Sequence, residues 1–168
     1  TNFVGEASMY LKLVAVGKLR EDYLRQGVEE YRKRLGAYCR FEMIEVKDEP
    51  LRKKGDSPAQ REQILRREAE RVLKSVAANT YLVLLDLEGQ MVTSEQLADR
   101  ISDLGLRGKS DITFAIGGSL GVGSALKQRA DWRLALSPMT FTHQLTRLIL
   151  MEQLYRAFTI IRNEPYHL

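Results

Sequence analysis

Three short, almost continuously apolar runs constrain this chain most: YLKLVAVG at 10–17, YLVLLDL at 81–87 and DITFAI at 111–116. Runs of that length and composition read as strands buried on both faces, an arrangement found where helices cover both sides of a parallel sheet. The segments between them carry helical periodicity. From Arg20 to Leu35 the spacing puts Tyr23, Leu24, Val28, Tyr31 and Leu35 on one helical face. An alternating strand follows over Arg40–Val46. Strand alternating with helix predicts an α/β domain built on a largely parallel sheet.

Helix starts are legible from capping chemistry. Ser57, Pro58 and Gln60 make a capping box with proline at the first helical position, and Thr93 with Gln96 makes another. The first predicted helix runs to about Val76 and the second to about Leu104. Between the strand 40–46 and Ser57 lies a polar linker, KDEPLRKKGD. Glu88 and Gly89 read as the turn that ends the strand 81–87. Along the helix after Ser57, Arg61, Arg66, Arg67, Arg71 and Lys74 alternate with Glu62, Glu68 and Glu70, the pattern of a solvated, ion-paired face. With Arg52, Lys53 and Lys54 it forms the densest basic stretch of the chain, a candidate for phosphate contacts. Further on, a helix over Ser124–Ala130, a strand WRLALS and a long final helix complete the pattern.

At 168 residues the chain has the size of one domain, expected over 9–168, with residues 1–8 read as an extension ahead of Met9. No apolar run approaches the roughly 20 residues that cross a bilayer, so no membrane partner is expected and the default address is cytoplasmic. One cysteine, Cys39, forms no internal disulfide, and with two histidines it falls short of a zinc ligand set, so no metal is expected. Cys39 opens an apolar strand pattern and reads as a buried, inert thiol. A net charge of +4 and a pI near 9.2 favour a polyanionic partner or a small anionic substrate.

Ligands of open α/β sheets bind beyond the carboxyl ends of the strands, which directs attention to the loops after 81–87, 111–116 and 132–137. The glycine-rich segment GGSLGVG at 117–123 lets backbone approach a ligand closely. A Walker A reading fails because Asp103 stands where glycine is required before Gly108, Lys109 and Ser110. A dinucleotide fingerprint fails at Leu126. GGSLG also fits a nucleophile elbow, with Ser119 as the serine of a hydrolase, His143 or His167 as base and Asp131 as third member.

The final helix, read over Phe141–Arg162, is apolar over more than one stripe, so it is expected to bury one side on its own sheet and another on a second copy of the chain. His143, Gln144, Arg147, Glu152, Arg156 and Arg162 interrupt it, where charge must be paired or used. The tail RNEPYHL adds a phenol and an imidazole.

The blocks FAIGGSLG, LALSPMTFTHQLTR, LMEQLYRAFTIIRNEPYH and the opening LKLVAVGKL together resemble the SPOUT-class large-subunit methyltransferase H family, which modifies N3 of a pseudouridine in bacterial 23S ribosomal RNA. The likeness spans the chain from Met9. It implies a SPOUT-type parallel sheet whose C-terminal segment is threaded into a deep trefoil knot, a homodimer with the active site at the subunit interface, S-adenosylmethionine as methyl donor, and assembled ribosomes as substrate. The family's cofactor pocket falls on Leu85, Gly117, Leu136, Ser137, Pro138, Met139, Thr140 and Phe141. On that likeness Arg156, Tyr166 and His167 are expected to contact the target base or its phosphate, with Glu152 orienting Arg156 and with His167 or Glu152 as the general base. Thr142, Leu120 and Val122 depart from residues common in the family. Two other readings stay open: the hydrolase at Ser119, and a ribosome-binding factor that has the fold without the activity.

Overall fold

The computed structural model describes residues 9–51 and 57–168; the expected extension at 1–8 and the linker cations Arg52, Lys53 and Lys54 lie outside the described residues. Among the described residues five strands and five helices alternate: β1 (Tyr10–Val16), α1 (Asp22–Leu35), β2 (Arg40–Val46), α2 (Pro58–Lys74), β3 (Tyr81–Met91), α3 (Ser94–Leu106), β4 (Asp111–Ile116), α4 (Ser124–Arg129), β5 (Trp132–Ala135) and α5 (His143–Ile161). All strand pairings are parallel, in the order β2-β1-β4-β3-β5. The chain therefore builds outward from β1 to β2, crosses to β3, returns to insert β4 between β1 and β3, and finishes at the β5 edge.

Strand periodicity divides the sheet's side chains between two cores. Leu11, Leu13, Val83, Leu85, Ile112, Phe114 and Leu134 point to the side covered by α1, α3 and α5. Val14, Val16, Leu82, Leu84 and Ala115 point to the other side, under Ala69 and Val72 of α2 and Leu126 of α4. Both capping boxes form: the Ser57 and Thr93 hydroxyls accept from the amides of Gln60 and Gln96, whose side chains return the bond. Cys39 lies just before β2 and is buried, and desolvation pushes its thiol up to about 12, which keeps it inert.

Two sequence expectations change. Glu88 and Gly89 do not end β3. Leu85 and Gln90 both face Leu134 of β5, so residues 86–89 bulge out and the strand resumes to Met91. Gly89 is required there, because a Cβ would sit 2.6 Å from the Arg133 carbonyl group. The α2 carboxylates are not all solvated either. Glu68 is 5% exposed and accepts from the Glu49 amide at 3.0 Å. Arg67 and Arg71 reach Glu49 in the loop after β2, and Arg71 also donates to the Lys47 carbonyl, so these two cations hold the loop against α2.

Among the described residues no helix is long and apolar enough to cross a membrane, and no group of three or more His, Cys, Asp or Glu is placed to hold a metal.

Candidate active site

The carboxyl ends of β3, β4 and β5 open into a cleft of about 800 Å³. Its floor is the glycine loop after β4. A Cβ on Gly117 would lie 2.3 Å from the Gly121 carbonyl oxygen, so the two backbone passes touch and only glycine fits. The Gly121 amide closes the turn on the Gly118 carbonyl at 3.0 Å. One wall is the β3 bulge with Leu85 and Asp86; the other is the segment from β5 to α5, with Leu136, Ser137, Met139, Thr140 and Phe141. Seven of the eight residues expected around a cofactor thus line one cavity, and Pro138 stands in the same loop outside the lining. Ser137 shapes that loop by accepting from the Met139 amide at 3.0 Å. Thr142, a departure from the family pattern, caps α5 through the Leu145 amide at 3.2 Å.

Sequence reasoning missed Asp86 as a cleft residue. Asp86 is buried and accepts from Arg133 Nε at 2.8 Å and from the Glu88 amide at 3.0 Å, which fixes the bulge. Its signal was a lone carboxylate in an otherwise apolar strand. His143 also lines the cleft; burial, and then the Arg147 charge, hold its imidazole below the usual histidine range.

A second cluster forms at the other end of α5. Arg156 donates from Nε and Nη2 to Glu152 Oε1, at 3.1 and 2.7 Å. The same oxygen accepts from the Tyr166 hydroxyl at 3.0 Å, and Gln153 donates to Oε2 at 2.7 Å. Arg156 Nη1 lies 3.0 Å from His167 Nδ1, while His167 Nε2 lies 2.7 Å from Glu95 Oε1. Arginine only donates, so Nδ1 is the acceptor and the imidazole proton sits on Nε2, facing Glu95. The Arg156 guanidinium also stacks over the Tyr166 ring at 4.8 Å. Burial, followed by the hydrogen bonds with the Tyr31 hydroxyl and to the Glu152 carboxylate, pushes the Tyr166 phenol up, so it stays a protonated donor. Glu152, Arg156, Tyr166 and His167, the four residues expected at the substrate, therefore form one network. Tyr31 and Glu95, from α1 and α3, complete it, and nothing in their sequence surroundings marks them.

None of these four lines the cleft. Arg156 stands 13 residues beyond His143, about 20 Å along the axis of α5. The hydrolase triad is also scattered. Ser119 and His143 line the cleft, but Asp131 precedes β5 at the amino edge of the sheet, where it accepts from the Leu82 amide and pairs with Arg129. His167 belongs to the distant cluster.

A family model described as "Predicted SPOUT methyltransferase" matches residues 9–167. The chain belongs to the SPOUT methyltransferase family. This family member is 51% identical over 159 residues to the ribosomal RNA large subunit methyltransferase H of Acetivibrio thermocellus, covering 95% of this chain and 99% of that protein. It is 50% identical over 161 residues to the protein of the same name from Clostridium kluyveri, covering 95% and 99%. Among solved structures it aligns with the Legionella pneumophila protein Lpg2936 in complex with SAM, at a TM-score of 0.49 and 11% identity, over 93% of this chain and 68% of that one.

Proposed function

We propose that this SPOUT methyltransferase transfers a methyl group from S-adenosylmethionine to N3 of a pseudouridine in large-subunit ribosomal RNA, on assembled ribosomes in the cytoplasm, as a homodimer whose active site takes parts from both subunits. The observation that carries the reading is the separation of the cleft and the cluster on α5. Methyl transfer needs donor and acceptor at about 3–3.5 Å. A cluster about 20 Å along the helix from its own cleft cannot meet a cofactor there, so it serves the cleft of a second copy. The stripe Leu145, Ile149, Glu152 and Arg156 follows helical spacing and is only partly buried by its own chain, as a face awaiting a partner would be. The family's deep trefoil knot is part of this proposal, with the segment from β5 to α5 threaded beside the glycine loop.

The cleft fits the cofactor in size and lining. About 800 Å³ is within the range of small-molecule sites, Leu85, Leu136, Met139 and Phe141 offer apolar surface to an adenine, and Gly117 lines the cleft with backbone alone. Bound there, S-adenosylmethionine supplies an electrophilic methyl carbon. The chain's own residues must hold the base, accept the charge that grows on it as N3 loses its proton, and exclude water. Arg156, kept charged and aimed by Glu152, is the fixed cation for the developing charge on the neighbouring carbonyl oxygens. Tyr166 holds Glu152 in place, and His167, whose Nδ1 accepts from Arg156, takes the N3 proton once the incoming base displaces that bond.

Transfer of labelled methyl from S-adenosylmethionine to ribosomes lacking the modification, followed by mass mapping, tests the function. Methyl on a large-subunit pseudouridine is the expected product. Methyl on another nucleotide would refute the substrate assignment, and no transfer with cofactor binding also absent would favour a ribosome-binding factor or the hydrolase at Ser119.

A further inference from the structure

A second cavity, of about 750 Å³, opens beyond the carboxyl ends of β1 and β2. We propose that it holds a backbone phosphate of the RNA beside the target nucleotide, gripped by Lys18, Lys47 and Arg20. This rests on the reading that the chain methylates RNA, and it adds where on the surface the strand is held.

Three separate segments bring cations to this concavity: Lys18 and Arg20 from the loop after β1, Arg25 from the first turns of α1, and Lys47 from the loop after β2. Their commitments differ. Arg25 is occupied by the Leu19 carbonyl and by Asp22. Arg20 has Asp48 only at 4.0 Å, and both side chains are largely in solvent. Among the described residues Lys18 and Lys47 have no ion-pair partner, and both are exposed. Of the two acids in the lining, Glu45 is already taken by the buried Arg147 and the Leu19 amide, and Asp48 faces Arg20, so the four cations outnumber the acids left to neutralise them. What remains is a concave surface with unspent positive charge, suited to a phosphate and poorly suited to an apolar ligand.

Its position gives the charge a use. A Cβ on Gly17 would lie 4.0 Å from Asp48, which lines this cavity, and 4.0 Å from Nε2 of His143, which lines the cleft. The two cavities therefore adjoin along one edge of the sheet. The Arg20 amide donates to Gln144 at 3.1 Å and Arg147 donates to the Gly17 carbonyl at 3.0 Å, which fixes the cationic loop to the first turns of α5. A phosphate held there keeps the next nucleotide in register with the cleft of the same subunit, to which the partner brings its Arg156 cluster.

The test is steady-state methylation of unmodified ribosomes by Lys18→Ala/Lys47→Ala, across a salt series. KM for ribosomes should rise about tenfold with kcat and S-adenosylmethionine affinity unchanged, and the salt slope of ribosome binding should fall by roughly two. Lys18→Arg/Lys47→Arg should retain both values. Arg107→Ala/Lys109→Ala removes the same charge beside the start of β4, at the opposite edge of the sheet, and should move neither. An unchanged KM and slope in the Lys18/Lys47 variant, with the parent active, would overturn this inference alone, as would equal losses from both pairs. No methyl transfer by the parent would bring down the underlying reading and this one together.

Discussion

Glu152 and Arg156 sit one turn apart on α5, and Arg156 donates two hydrogen bonds to a single oxygen of Glu152, at 3.1 and 2.7 Å. A guanidinium held by its Nε edge has one direction left to offer. Here that direction is Nη1, which meets His167. The pair is thus an aiming device, with Tyr166 closing it from the tail.

Removing the cation should cost rate and not cofactor binding. Arg156→Ala should lower kcat by about 100-fold or more, the usual loss for a positioned charge-stabilising donor, with S-adenosylmethionine affinity unchanged by calorimetry. Arg156→Lys should recover little, because a lysine has no edge for Glu152 to hold.

At the cleft the converse is expected. Gly117→Ala forces a Cβ to within 2.3 Å of the Gly121 oxygen, so the loop must open. Cofactor affinity should drop at least about tenfold, the loss expected when a preorganised site is disordered by more than about 1.4 kcal/mol. Isothermal titration checks it.

Arg147 is fully buried, bonded to the Gly17 carbonyl and paired with Glu45. Arg147→Met strands the Glu45 carboxylate and should destabilise the fold by about 3 kcal/mol in urea unfolding, the lower end for a broken buried pair because Glu45 retains some solvent. Adding Glu45→Gln should recover part of the loss.

Glu68 supplies a pH test. Burial, reinforced by Asp48 and Glu49 and opposed by the Glu49 amide and Arg71, raises its carboxyl above the usual range. The folded state then binds the proton more readily than the unfolded state, so this residue subtracts stability as pH rises from the usual carboxylate range through its raised value. Glu68→Gln keeps the acceptor for the Glu49 amide and should melt higher than the parent at neutral pH. The gap should close on acidification below the usual carboxylate range, and a gap independent of pH would contradict the assignment.

The strands and most helix starts were legible because their signals are local. Apolar runs mark β1, β3 and β4, and Ser57 and Thr93 announce their helices with partners three residues on. The β3 bulge was not legible, since Glu88 and Gly89 have turn chemistry and only pairing with Leu134 shows that the strand resumes. Burial of Glu68 was hidden for a similar reason: its surroundings come from the Glu49 loop and from Gly118 across the sheet. In the site, the glycine loop and the 136–141 segment announced themselves by composition. Their union with Leu85, and the convergence of Tyr31 and Glu95 on the tail, are products of the fold.

The shared active site is tested most directly by mixing Gly117→Ala and Arg156→Ala at an S-adenosylmethionine concentration too low to fill the weakened cleft, under conditions that allow subunits to exchange. Half of the dimers are then mixed, and each carries one cleft with an intact cluster from its partner. Methylation should return to about a quarter of the parent's rate, with each variant alone at about a tenth of that rate or less. A mixture as inactive as its components would contradict a site built from two subunits.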